Sequence, residues 1–376
     1  MPSATANARD AAFARFRATP SGREKPGRYW KIDLETYEPS NLPEAQPAGA
    51  VEIEAPQGRF VACDLHVAMR DHAAALDRAM GRAIRPEHKW AALAQAFTHL
   101  GAFIHLPADV NVDEPIVVRY DVPDGSAVFP YTIVLAERGA RATIVECFDG
   151  GENASICGIA EIVTEESADV TYAAAQMLPA STEIFFTRAA LPGRNARVHW
   201  ACADLGGRLA VGDLAVTIAE PGVEARIASV FFPGEKQHVD IRTTVDHRTG
   251  DSASETLVKS AATGDGQGRY LGNILIEAHA QRSNASLRDD ALLLSKRAHI
   301  DSVPALEIAA NDVKAFHGAT VGALDDDAIF YMTSRGIERE AAQRMIALGF
   351  FEPVIDRFPT EALRDELRDA LAQKVG

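Results

Sequence analysis

Tyr131-Thr132-Ile133-Val134-Leu135, a break, then Ala142-Thr143-Ile144-Val145: this pairing of short β-branched runs decides the fold. It recurs along the chain as Phe103-Ile104-His105-Leu106, Pro115-Ile116-Val117-Val118, Ala196-Arg197-Val198-His199-Trp200 and Leu209-Ala210-Val211. Val223-Glu224-Ala225-Arg226-Ile227, Ile274-Leu275-Ile276 and Leu292-Leu293-Leu294 continue the series. Each run has the length of a strand and is bounded by Gly, Asp, Asn or Pro. Roughly 220 residues, Gly101 to about Val321, pass without a helix-length pattern. A sandwich, a barrel and a β-solenoid all fit such a series. Many runs end in a small residue and a turn without a hairpin Asn-Gly or Asp-Gly pair, which favours solenoid coils over hairpins. There is no fixed-period consensus, so the runs alone leave the three open.

The flanks have a different texture. Residues 1–100 lean towards helix. Met1–Ala18 reads as an amphipathic first helix, and Pro20–Gly49, rich in proline and without a sustained period, as an extended linker. Asp71–Met80 and Pro86–Thr98 are Ala-rich at helical spacing, with Pro86 opening the second at a position that needs no N–H. From Leu324 the pattern is helical again. Asp325-Asp326-Asp327 suits a helix start and Gly336 its C′ position. A further helix over Ile337–Leu348 is expected to stop at Gly349. Thr360 is expected to cap a last helix to about Gln373, with Leu363, Leu367 and Leu371 as its apolar stripe. We therefore divide the chain into 1–100, an N-terminal helical region with linker, 101–322, a β core, and 323–376, a C-terminal helical region.

Composition narrows the function. The 376 residues carry 38 Lys and Arg against 53 Asp and Glu, a net charge of −15. So acidic a surface repels phosphate backbones and anionic bilayers, so no nucleic acid and no membrane are expected as partners. No apolar run approaches the ~20 residues of a transmembrane helix, and the N-terminus lacks the apolar stretch of a secretory signal. Cys63, Cys147, Cys157 and Cys202 are scattered, with no Cys-x-x-Cys pair. Clustered thiolates, which a structural zinc or self-contained iron–sulfur site needs, are missing. Free thiols fit a reducing cytosol, and we expect a cytoplasmic protein.

Familiar catalytic patterns are missing too. Gly22 and Gly27 have phosphate-loop spacing, but Arg28-Tyr29 follows where Lys-Ser/Thr is required, so no nucleotide site is expected. Gly264, Gly266, Gly268 and Gly272 miss the dinucleotide spacing and read as a surface turn. Asp289-Asp290 would serve a polysaccharide-active β-helix enzyme only if both acids met one bond. Neighbours in a strand face opposite ways, so we read both acids as solvated or capping. The histidine with an informative setting is His317. In Val313–Val321 it shares a strand face with Val313, Ala315, Ala319 and Val321, beside Gly318. A satisfied core histidine is the first reading. The second is a neutral imidazole on an open small-residue surface, as a shared metal site requires.

The stretch from Asp289 through Ala-Leu-Leu-Leu-Ser-Lys-Arg-Ala-His-Ile-Asp-Ser-Val-Pro-Ala-Leu-Glu-Ile and Asn311-Asp312-Val313-Lys314-Ala315-Phe316-His317-Gly318-Ala319-Thr320-Val321-Gly322 to Phe330-Tyr331-Met332-Thr333-Ser334-Arg335-Gly336 closely resembles the signature of the SufB/SufD family of iron–sulfur cluster assembly proteins. His317-Gly318-Ala319-Thr320-Val321-Gly322 points to its SufD branch. Asp246-His247, Ser254, Lys259, Tyr270–Ile274, Ala280-Gln281, Phe103-Ile104 with Pro107, and Glu114-Pro115-Ile116 match as well. The resemblance runs from about residue 100 to the C-terminus. It implies a mainly β protein, a right-handed parallel β-helix with helical N- and C-terminal regions. It also implies a non-catalytic scaffold in a complex with a SufB-like paralogue, paired through the β-helices, and a SufC-like ATPase on the C-terminal helices. His317 would stand at the shared interface, helping to hold iron or a transient iron–sulfur cluster. The ATPase contact would involve Phe330, Tyr331, Arg335, Gly336, Ile337, Met345 and Phe350, with Phe351 beside them. One histidine without clustered thiolates holds no cluster alone, so a partner must lend ligands. A homodimer would compete for the same β-helix end, and a homodimeric structural protein without a metal role is the alternative. Ala315 and Phe316 replace a Cys-Ser common before the histidine, and Asn311 an aspartate. These changes remove a thiol at 315 and leave His317 untouched.

Overall fold

The computed structural model describes residues 2–19, 48–84 and 88–376. Helix α1 (Pro2–Ala18) is followed by strands β1 (Ala50–Glu54) and β2 (Val61–Asp64) and helices α2 (Leu65–Asp71), α3 (Ala73–Leu76) and α4 (Lys89–Phe97). The strands of the core are β3 (Leu100–Leu106), β4 (Ile116–Val122), β5 (Ala127–Val128), β6 (Pro130–Ala136), β7 (Arg141–Gly150), β8 (Ser155–Thr164), β9 (Asp169–Gln176), β10 (Glu183–Leu191) and β11 (Arg197–Asp204). They continue as β12 (Leu209–Ile218), β13 (Glu224–Phe231), β14 (His238–His247), β15 (Ala253–Ala262), β16 (Gln267–Ile276), β17 (Asn284–Leu293), β18 (His299–Ile308) and β19 (Lys314–Ala323). Helices α5 (Asp326–Ser334), α6 (Arg339–Ile355) and α7 (Glu361–Val375) follow.

Of the three architectures the runs allow, the chain adopts the solenoid. One sheet has the order β1-β4-β7-β9-β11-β13-β15-β17-β19, the other β18-β16-β14-β12-β10-β8-β6-β3-β2, with β5 beside β8. From β3 onwards the chain alternates between the sheets, apart from β5 and β6, which share one, and each strand lies parallel to the next in its own sheet, giving a parallel β-helix of about eight turns. β1 and β2, which the helical reading of residues 1–100 missed, pair antiparallel with β4 and β3 at the first end.

The strands read as nearly continuous apolar runs because both faces are covered; β6 is buried at every position. Ile144, Val170, Val198 and Ile227 alternate into the lumen, where they join Ile104, Ile184 and Val216 of the opposite sheet. The outer face of one sheet, with Tyr131, Ile133, Phe185 and Val211, is packed by Phe16, Leu65, Leu76, Trp90 and Leu93 of the N-terminal helices. The other outer face meets Phe351, Val354 and Ile355 of α6 and Leu363, Leu367 and Leu371 of α7. The α7 stripe and its cap, Thr360 Oγ1 accepting from Leu363 N–H at 3.3 Å, match the sequence reading. So do the Asp325 cap of α5 and Gly336, at φ +87°, after its last turn.

Other helix expectations need correction. The single helix over 71–80 breaks at His72, and α3 has four residues. Beyond it the backbone N–H groups of Gly81, Ala83 and Ile84 turn inward to the buried Glu161 carboxylate, which holds 81–84 out of helix. Helix α4 starts at Lys89 with His88 as its cap, Nδ1 accepting from Ala91 N–H at 3.3 Å. Pro86, like most of the Pro20–Gly49 linker and Gly22 and Gly27, lies outside the described residues. Gly349 does not end the helix begun near 339: α6 runs on to Ile355, drawn by the burial of Phe351, Val354 and Ile355. Of the four glycines read as one surface turn, Gly264 and Gly266 lie in the turn before β16, while Gly268 and Gly272 lie within the strand.

Candidate interface at the open end of the β-helix

The two ends of the solenoid differ. At the first, β1 and β2 are antiparallel edge strands, each with one neighbour. At the other end β18 and β19 are the last strands of their sheets, each with one neighbour, so each offers a row of backbone N–H and C=O groups to a further strand. Natural proteins blunt such edges with charge, bulges or a covering element. Here the last turn instead exposes Val303, Ile308, Phe316 and Val321, at 40–59% of their full surface. Exposed apolar surface on an unpaired edge is the mark of an interaction site.

His317 belongs to this turn. Cross-strand register places it over Leu287 of β17, with Ala315 over Ala285, Ala319 over Asp289 and Val321 over Ala291. That face is the lumen face, because Ala285 and Leu287 lie in the core below. No turn stacks above β19, so its inward side chains look out through the open end, and His317 is exposed. The core-histidine reading is thereby corrected: the residues that share its face are as expected, with Val313 and Ala315 half-buried against the core, but His317 itself is exposed. Phe316 lies on the opposite, outer face and is 59% exposed; its ring packs against Gly318, where a Cβ would come within 3.1 Å.

The Asp289-Asp290 pair divides as strand geometry requires, but neither acid is solvated. Asp290 points outward. Its carboxylate accepts from Lys259 Nζ at 2.7 Å, Thr320 Oγ1 at 2.7 Å and Arg288 Nε at 2.9 Å, clasping β15, β17 and β19 together. Burial pushes its pKa up, but the bonds from Lys259 and Thr320 outweigh this and hold it below the usual value. Asp289 points inward and is fully buried. Oδ2 accepts from Ser302 Oγ of β18, and Oδ1 has no partner. Burial, against the pull of the Ser302 hydrogen bond, lifts this carboxyl to about 7. The alternation Leu287-Asp289-Ala291 in the sequence already put a carboxyl on an apolar face; sequence reasoning used it only to separate the two acids.

Among the described residues, no three His, Cys, Asp or Glu side chains converge as a metal would require. Cys147, Cys157 and Cys202 lie on β7, β8 and β11, far down the stack. Burial pushes the Cys147 thiol up to about 11 and that of Cys202 to about 12, so neither is a ready thiolate.

The C-terminal residues form a second exposed area. Phe330, Tyr331 and Met345 are 72%, 60% and 55% exposed. The Arg335 guanidinium lies 5.0 Å from the Tyr331 ring centre, and Gly336 is exposed. Ile337 is half-buried. Phe350 is too, with Lys259 Nζ 4.3 Å from its ring centre. Phe351 stacks on Phe232 in the core and is no part of the surface. His317 and this area sit on separate elements, β19 and α5–α6.

Comparison with known proteins follows the same outline. A family model described as SUF system FeS cluster assembly, SufBD core domain, matches residues 119–350. The iron–sulfur cluster assembly protein SufD of Bacillus subtilis is 29% identical over 295 residues, 77% of this chain and 67% of that protein. A SufBD family protein of Mycobacterium leprae is 28% identical over 69% of this chain, and one of Staphylococcus epidermidis 26% over 73%. The matched stretch spans only 30% and 60% of those two proteins.

Proposed function

This chain belongs to the SufBD family of SUF-system iron–sulfur cluster assembly proteins, and from that premise we propose that it is a non-catalytic, SufD-like scaffold subunit with two docking surfaces. The observation that carries the reading is the uncapped last turn: two free strand edges, an exposed apolar row and a histidine facing the opening. A SufB-like paralogue would seat its own β-helix end there, pairing the edges and covering Val303, Ile308, Phe316 and Val321. His317 would then face the seam, where ligands from the paralogue complete the coordination of iron or a nascent cluster, the cargo of the complex. Phe330, Tyr331 and Met345, with Arg335, Gly336, Ile337 and Phe350 around them, would receive a SufC-like ATPase. We keep the division into 1–100, 101–322 and 323–376 for these roles, and the cytoplasm as the compartment. Among the described residues no helix is long and apolar enough to cross a membrane. The rival reading, a polysaccharide-active enzyme, finds no support, because Asp289 and Asp290 face opposite sides of their sheet.

The test is co-expression with the two partners, purification, and iron and sulfide analysis of wild type and His317→Ala. His317 is exposed, so the variant should fold and assemble with stability within about 0.5 kcal/mol of wild type. Its complex is expected to lose about tenfold or more of its iron. Full iron in the variant removes His317 from the site. A wild type that captures neither partner, and self-associates instead, overturns the scaffold reading in favour of a homodimer.

A further inference from the structure

Asp289 is the one inward-facing acid directly beneath the last turn, and its surroundings are unusual. It is fully buried, one oxygen is held by Ser302, and the other has no donor. Buried acceptors without donors are rare in folded proteins, and an orphan of this kind calls for a missing partner. The cations near it are already engaged on the other side of the sheet, where Lys259 and Arg288 bind Asp290. Above Asp289 in the stack stands Ala319, which adds only a methyl group. Two residues before Ala319, on the same face, is the exposed His317. With strands ~4.8 Å apart and ~3.3 Å per residue along each, the Cα atoms of Asp289 and His317 lie on a diagonal of roughly 8 Å, their side chains projecting the same way. A carboxylate and an imidazole span that separation when both bind one ion at ~2.0–2.2 Å.

We propose that Asp289 and His317 together form one half of a divalent-cation site at the mouth of the β-helix, the remaining ligands coming from the chain that closes this end. The inference rests on the scaffold reading and adds to it a ligand from the penultimate strand of the sheet. A nitrogen and a carboxylate oxygen suit Fe²⁺, Co²⁺ or Zn²⁺ better than Ca²⁺ or Mg²⁺. Two ligands leave most coordination positions open, as a site that must pass its ion onward requires.

The probe is Co²⁺ alone, titrated into the full chain, with calorimetry and paramagnetic broadening of the His317 ring protons as readouts. Asp289→Asn keeps the shape and the bond to Ser302, and thermal unfolding checks that it folds. Glu307→Gln removes an exposed acid of the same last turn. Wild type and Glu307→Gln should bind alike, while Asp289→Asn and His317→Ala should each weaken binding about tenfold or more. In the co-expressed complex Asp289→Asn should lose iron as His317→Ala does. If only His317→Ala loses metal in both settings, Asp289 is no ligand and this inference falls while the scaffold reading stands. If both variants keep wild-type metal, this inference falls and His317 leaves the site, while the scaffold reading stands on capture of the partners. If no complex forms, the scaffold reading fails and the Co²⁺ titration alone decides the half-site, an absence of uptake to millimolar Co²⁺ counting against it.

Discussion

Asp289 retains in the fold a proton that an exposed aspartate gives up near pH 4. Its carboxyl titrates at about 7 against an ordinary 3.8. Between those values the folded chain binds more protons than the unfolded chain, so this residue lowers stability as pH rises through the window and costs nothing further above 7. Asp289→Asn removes that component. Urea unfolding of the two proteins should agree most closely at pH 4 and below and diverge towards pH 8, where the variant gains up to about 4 kcal/mol. Parallel stability–pH curves would show that Asp289 is not the buried acid described above. His317, in contrast, carries little of the fold, and its replacement is expected to register in metal content and not in stability.

Among the elements, the helices show most clearly how packing overrides local punctuation. Gly349 looks like a stop signal, yet α6 passes through it because three residues beyond it bury against the β-helix. A Cβ at 349 would meet nothing within 4 Å and the backbone there is not left-handed, so Gly349→Ala should stabilise by roughly 0.5–1 kcal/mol, read from the denaturation midpoint. Leu367 is fully buried between α7 and the sheet, and Leu367→Ala should cost about 2–5 kcal/mol by the same assay. The turns explain why no repeat was visible. Asp109, Gly139, Ser167, Asn195, Gly222, Asp251 and Arg282 occupy successive corners, all at positive φ. Their backbones stack by hydrogen bonds such as Gly139 N–H to Glu166 O at 2.9 Å and Ser167 N–H to Arg194 O at 2.8 Å. The conformation repeats while the residue type does not.

Over the whole molecule, the two exposed areas sit on different elements and should be separable. Phe316→Asp places a charge on the apolar last turn and is expected to abolish pairing with the paralogue while ATPase capture persists. Phe330→Asp should do the reverse. Co-purification of each variant from cells expressing all three proteins reads both effects at once, and loss of both partners by either single variant would refute two independent surfaces. The length of each turn also belongs to this scale. Glu183 aligns with Leu209, 26 residues on, but Gln267 with His299, 32 residues on. Turns of unequal length still stack, because only the strand segments need to be in register.

Local chemistry alone placed most of the strands, the capped helices α5 and α7, and the residues that share a face with His317. These depend on nearest-neighbour sterics, on side-chain alternation and on a cap reaching its own first turn. The motif carried the family. With the family came the parallel β-helix, which the runs alone left open. The break of the helix at His72 and the course of α6 past Gly349 required the tertiary structure, since each depends on contacts with residues remote in sequence. Above all, whether an inward-facing residue is core or site is undecidable from alternation. Leu287 and His317 occupy the same column of side chains, and the difference between them is that one has a turn stacked above it and the other has none.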